Sequence, residues 1–270
     1  MQTLSQSPTD PEFVQNPWPF YDRARAQGAF FRWADYGDLP CALSHAAVSA
    51  ILRDRRMGRE VPPERRAPVP DHQRPFYAIE DHSMLELEPP RHTRLRALVL
   101  RAFTTRRIAA LAPEIEALAQ ELVDGFPASG SFDLLERFCQ TIPVVVICRL
   151  LGVPEALKDT LLAWSHDMVG MYQAGRDRAM EERAATAAAE FAAFLRSYID
   201  QRRRTPGDDL ISELIAARDG EGRLSEEELI ATCVLLLNAG HEATVHALGN
   251  GTKAIREAGG PRHWLEPAHI

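Results

Sequence analysis

The sequence predicts a mainly α-helical protein with a small β-sheet near its N-terminus, organised around one long central helix. Three observations carry this. Ser225-x-x-Glu228 has the form of a capping box and opens a proline-free stretch over residues 226–257. As a helix that stretch is on the order of 45 to 50 Å long. Its middle, from Cys233 to Gly240, is apolar on several sides and belongs inside a fold. An alanine-rich segment over residues 178–204, stopped by Thr205-Pro206-Gly207, gives a second long helix. Two short apolar runs, residues 29–33 and 41–43, flank the turn Asp35-Tyr36-Gly37-Asp38 and read as strands.

The remaining elements follow in order. Residues 1–15 are polar and read as a flexible arm, with one domain over residues 16–270. Asn16-Pro17-Trp18-Pro19 introduces a short helix over residues 20–27, closed by Gly28. Ser44 caps a helix with Ala47, Val48, Ile51 and Leu52 on one face. Residues 55–80 contain Pro62, Pro63, Pro68, Pro70 and Pro75 and read as a loop. Pro113 is placed at the start of a helix running to Asp124. Asp133-x-x-Glu136 resembles a capping box, Pro143 interrupts or restarts the helix that follows, and Gly152-Val153-Pro154 ends it. No internal repeat is present.

A chain of 270 residues with 45% apolar residues can bury a sizeable core. A formal charge of −7 argues against a protein built to hold nucleic acid. No apolar run reaches the length of a membrane helix, and the polar start lacks the regions of a signal peptide, so a cytoplasmic protein is expected. The four cysteines, at 41, 139, 148 and 233, form no C-x-x-C pair and read as small core residues, with no metal site among them.

Two segments carry chemistry. In Glu88-Pro-Pro-Arg-His-Thr-Arg-Leu-Arg96 the prolines suit a helix start, and His92 and Arg96, four apart, share a face. Together they can clamp an anionic group, although taken alone the pattern also fits a solvated basic face. In Ala239-Gly240-His241-Glu242-Ala243-Thr244 a glycine costs roughly 1 kcal/mol within the long helix unless something approaches its backbone or the helix opens there. A carboxylate beside so apolar a run is either functional or marks the helix reaching the surface. His241 and His246 are five apart, about 140° around the helix, so they do not form the zinc pair of a metalloprotease.

The first segment, with Ala102-Phe103-Thr104 after it, closely resembles the C-helix signature of bacterial cytochromes P450. Leu235-Leu-Leu-Asn-Ala-Gly-His-Glu-Ala-Thr244 resembles their central I-helix signature. Leu150-Leu-Gly-Val-Pro154 and Gly207-Asp-Asp-Leu-Ile-Ser212 fit the same family, and the resemblance extends from about Asn16 to Gly251. It implies an incomplete P450 fold in which His92 and Arg96 hold a haem propionate and Ala239 and Gly240 form the haem and oxygen face. Glu242, Ala243 and Thr244 then form the oxygen-activating segment. The family usually places Thr directly after the acid; here Ala243 stands there, and Thr244 lies about 100° further round. Ordered water, a substrate hydroxyl or a local bulge must then replace the usual relay.

The resemblance also implies a small organic substrate, lined by residues 55–85 and 164–174, and a ferredoxin-type redox partner. The family's E-x-x-R helix and its cysteine loop have no counterpart. Glu88 to Arg91 matches E-x-x-R only by coincidence across two prolines, and none of the four cysteines lies in a glycine-rich loop. After residues 262–267 the sequence stops. The expectation is therefore a monooxygenase by family, inactive as this chain alone. The alternatives are a non-catalytic remnant that binds another protein and a haem carrier with a histidine ligand.

Overall fold

The computed structural model describes residues 1–173, 175–218 and 222–260, with only the backbone of Arg106. Residues 262–267 lie outside this set. The chain divides into two units, Met1–Val61 and Pro62–Ile270. The boundary thus falls at the proline-rich stretch, not between an arm over 1–15 and a domain from 16.

In the first unit, strand β1 (Gln2–Leu4), helices α1 (Pro11–Gln15) and α2 (Trp18–Arg25), strands β2 (Phe30–Trp33) and β3 (Leu39–Ala42) and helix α3 (His45–Arg53) follow in order. β2 is central, parallel to β1 and antiparallel to β3. Where an arm was expected, residues 2–4 form a strand. Gln2 to Leu4 register with Phe31 to Trp33, and Asp35 receives hydrogen bonds from Ser5 Oγ (2.6 Å) and the Gln6 amide (2.7 Å). Three residues are too few to show a strand period, so polarity alone misled. Phe13, Phe20, Tyr21 and Trp33 pack edge to face or tilted, with centroids 5.6 to 6.4 Å apart. Ser44 caps α3 as expected, its Oγ accepting from the Ala47 amide at 3.1 Å.

The second unit contains α4 (Arg74–Glu80), α5 (Arg91–Ala102), α6 (Thr105–Asp124), α7 (Thr141–Leu151), α8 (Lys158–Val169), α9 (Arg178–Arg204), α10 (Leu210–Ala216) and α11 (Glu226–Glu257). α4 corrects the expected loop over 55–80: Pro75 sits in its first turn, where proline costs no hydrogen bond, and Phe76 and Ile79 are buried. α6 corrects the placement of Pro113. The helix starts eight residues earlier, where Thr104 Oγ1 accepts from the Arg107 amide at 3.3 Å, and Pro113 lies inside it. Pro113 is exposed, so the carbonyl it leaves unpaired faces water.

Pro143 falls in the first turn of α7, behind a wider turn over Leu135–Cys139 that Asp133 caps by accepting from the Glu136 amide at 3.1 Å. α7 is buried along most of its length. α9 packs on α4, α8 and α10, and α11 packs on α7, α8 and α9. The capping box of α11 is complete: the Glu228 amide donates to Ser225 Oγ at 3.1 Å, and the Ser225 amide donates to Glu228 Oε2 at 2.8 Å. Thirty-two residues make α11 about 48 Å long.

The end of α7, the end of α9 and the start of α10 meet at one polar node. Gly152 ends α7 with φ 80°, and its carbonyl accepts from Arg202 Nη2 at 2.9 Å and from the Tyr198 hydroxyl. Asp209, 3% exposed, caps α10 by accepting from the Ser212 amide at 2.8 Å and faces Arg202 Nε at 3.1 Å. The Gly207-Asp-Asp-Leu-Ile-Ser212 motif is this node. Among the described residues, no helix is long and apolar enough to cross a membrane.

Candidate active site

α5 begins directly after the Pro89-Pro90 pair, whose peptide bond is cis. Leu95, Leu98, Val99 and Ala102 bury one face. On the remainder, Arg91 donates to the Asp81 carbonyl at 3.1 Å. Arg94 pairs with Glu228 at 2.9 Å and donates to the Arg223 carbonyl, and Arg101 donates to the Arg218 carbonyl. His92 is half-buried and Arg96 exposed, and neither side chain has a hydrogen bond or ion pair among the described residues. The Arg94–Glu228 pair fixes α5 against the first turn of α11. Gly240 lies twelve residues further along that helix, about 18 Å from the pair.

Along α11 the burial changes character. Leu229, Ile230, Ala231, Thr232, Cys233 and Val234 are all buried, but from Asn238 onward only His241 and Val245 are. Ala239, Gly240, Ala243 and Thr244 are exposed. A Cβ added at Gly240 would meet only Ile147 Cδ1, at 3.7 Å, which is ordinary contact. The helix shows neither break nor bulge here, so the register shift that could have brought Thr244 into line is absent. The Thr244 hydroxyl instead donates to the Gly240 carbonyl at 2.9 Å.

Ala239, Glu242 and Ala243 line a cavity of about 400 Å³ (380 Å³) in the second unit, opposite Leu85, Val169 and Tyr172. Gly240 and Thr244 lie on the adjoining stripe of the helix, and neither lines this cavity; nor do His92 and Arg96. Residues 80–85 and 169–172 contribute to it, which places parts of both expected substrate-lining segments at one site. Ala174, the end of the second segment, lies outside the described residues.

Several polar groups here were given no role from sequence. Glu80 is buried and accepts from the Tyr172 hydroxyl at 2.8 Å. Asn238 and His246 lie one turn before and after Glu242 on the cavity side, a spacing of four that helical periodicity could have revealed. His166 of α8 stands 3.7 Å from Glu242, and its ring centroid is 5.7 Å from that of His241. His241 is 1% exposed, and neither ring nitrogen has a partner among the described residues. Burial, with His166 and His246 nearby, holds its pKa down at about 4.

Three of the four cysteines are core residues as expected, and Cys41 is only half-buried. Cys139, Cys148 and Cys233 are buried in helical segments, and burial pushes the Cys148 thiol up to about 11 and the Cys233 thiol up to about 12. Cys41 lies in β3, its thiol also raised by burial. None has the electropositive surroundings that favour a thiolate. Among the described residues no group of three or more His, Cys, Asp or Glu could hold a metal ion.

No family model matches the chain. It is 37% identical over 249 residues to vitamin D(3) 25-hydroxylase of Pseudonocardia autotrophica, covering 90% of this chain and 58% of that protein. To the cytochrome P450 monooxygenase PikC of Streptomyces venezuelae it is 35% identical, covering 90% and 57%. Among solved structures, P450BioI bound to an acyl carrier protein superposes with a TM-score of 0.83 at 28% identity, over 91% of this chain and 63% of that one. The bacillaene polyketide synthase cytochrome P450 PksS of Bacillus subtilis 168 gives 0.80 at 31% identity, over 93% and 62%. The chain thus spans about three fifths of the length of these relatives, and in sequence and in fold it is similar to bacterial cytochromes P450.

Proposed function

We propose that these 270 residues supply the propionate-binding and distal parts of the haem pocket of a monooxygenase that hydroxylates a small organic substrate with dioxygen. Electrons come from a ferredoxin-type partner, and the setting is cytoplasmic. The observation that carries this reading is the unpartnered pair His92 and Arg96 on a helix whose other basic side chains are all engaged. Two adjacent donors with no protein acceptor suit a carboxylate such as a haem propionate. The small residues Ala239, Gly240 and Ala243 suit the close approach of a flat group.

The four cysteines do not fit the role of axial ligand, so the thiolate of a working enzyme comes from outside these residues, and the chain alone is inactive. Haem held by a thiolate supplies the activation of dioxygen. The chain's own contribution is to position substrate and move protons. Glu242, 32% exposed at its side chain, lines the cavity on one side and faces His166 on the other. A proton entering from solvent reaches the cavity through His166 and Glu242, with a water bridging the 3.7 Å between them. Ala243 has no hydroxyl, and the Thr244 hydroxyl is engaged with Gly240, so ordered water or substrate completes the path.

The test is titration of haem into the purified chain, followed by absorbance. Saturable binding is expected, weakened about tenfold by His92→Ala and by Arg96→Ala, as loss of a charge-assisted hydrogen bond implies. Equal binding by both variants would contradict the assignment. A thiolate-type Soret band in the reduced, carbon-monoxide-treated sample would overturn the conclusion about the cysteines. Folded, monomeric protein that refuses haem would instead favour a non-catalytic remnant, with the exposed face at Ala239, Gly240, Ala243 and Thr244 as its contact surface.

A further inference from the structure

The cavity beside Glu242 has two distinct walls. One is apolar, formed by Leu85, Val169, Val234 and Leu235 together with the alanines of α11. The other is polar, and its chemistry is one-sided: it presents Glu80, Ser83, Tyr172, Asn238, Glu242 and His246, with neither lysine nor arginine among the described residues of the lining. The two nearest hydrogen-bonding side chains on the helix, Asn238 and Glu242, are one turn apart and so share a face. Asn238 Oδ1 is buried and accepts no hydrogen bond among the described residues. A buried acceptor without a donor costs on the order of 1 to 3 kcal/mol, which a ligand N–H can recover. Glu80 already receives the Tyr172 hydroxyl, and the Ser83 hydroxyl receives the Leu85 amide at 3.3 Å. Among the described residues Glu242 has only His166, at 3.7 Å, beyond direct hydrogen-bond length.

We propose that this cavity takes an apolar substrate bearing a protonated amine, whose N–H groups are received by Asn238 Oδ1 and the Glu242 carboxylate while its hydrocarbon body lies on the leucine and valine wall. A carboxylate-bearing substrate is disfavoured, because the lining sets the carboxyl groups of Glu80 and Glu242 against it and, among the described residues, offers neither lysine nor arginine. The inference rests on reading this cavity as the substrate site, but it concerns these side chains alone and needs no haem.

Isothermal titration calorimetry on the 270-residue chain without haem tests it, with 4-phenylbutylamine, 4-phenylbutan-1-ol and 4-phenylbutyrate as probes. The expected order is amine, alcohol, carboxylate, with the amine about tenfold or more tighter than the carboxylate. Glu242→Gln should reduce the amine's affinity about tenfold and leave the alcohol's within about twofold. Asn238→Leu should weaken amine and alcohol together. Carboxylate binding as tight as that of the amine on the unaltered chain, an unchanged amine-to-alcohol ratio in Glu242→Gln, or no binding of any probe would each overturn the proposal. Haem binding is read separately by absorbance and depends on His92 and Arg96, so either experiment can fail without the other.

Discussion

Gly152, at the end of α7, and Gly240, in the middle of α11, lack a side chain for different reasons. At Gly152 the backbone has φ 80°, and an added Cβ would lie 2.4 Å from Asp209 Cβ and 2.6 Å from its Oδ2. The surrounding protein accounts completely for that glycine. At Gly240 the backbone is ordinary helix, and the same added atom would make one comfortable contact. Nothing among the described residues requires a glycine there, although glycine costs a helix interior about 1 kcal/mol. The first region is finished by its own packing. The second carries a glycine that its own packing does not require, and under the proposed function that open face is the one turned to the haem.

The largest effect should come from the finished region. Gly152→Ala forces a side chain into the left-handed conformation and into Asp209, which together cost about 3 kcal/mol or more. Urea unfolding should show a lower midpoint with an unchanged slope. A midpoint that barely moves would mean that the node is looser than its distances indicate.

The next effect sharpens the contrast within α11 itself. His241 is buried and neutral, with His166 of α8 and His246 of the next turn as its titratable neighbours. Its folded pKa of about 4 lies below its ordinary value of 6.5, so the unfolded chain binds more protons between these values. Stability should therefore fall as pH drops through this window, by about 3 kcal/mol in total from this group. His241→Phe, which removes two unpartnered nitrogens at similar volume, should abolish that slope and be neutral or stabilising at pH 7. Denaturation midpoints of both proteins between pH 4 and pH 7 check the difference.

How much of this was legible beforehand depended on the kind of signal. α9 and α11 were readable because each carries one sharp signal, the stop Thr205-Pro206-Gly207 after α9 and the capping box at Ser225 before α11, whereas the Asp177 cap of α9 was found only in the structure. α6 was misplaced because Pro113 looks like a start signal, yet on an exposed face a helix can absorb it. β1 was missed because its partner supplies the order that three residues cannot. In the site, His92, Arg96, Glu242 and Gly240 stood out as local oddities. His166, Glu80 and Tyr172 did not, since only the packing of α8 and α4 against α11 brings them to the cavity. The orphan nitrogens of His241 were invisible for the same reason: a histidine in an apolar helix declares its position, not its neighbours.

The account turns most directly on Gly240→Ala, with unfolding stability and haem affinity measured on the same preparation. Alanine should raise stability by about 0.5 to 1 kcal/mol, because the site has room for a methyl group and the helix gains propensity. Haem affinity should fall in the same protein, because the face it approaches has been thickened. A variant that is destabilised, or one that binds haem as tightly as the parent, would contradict the claim that this glycine is kept for the haem.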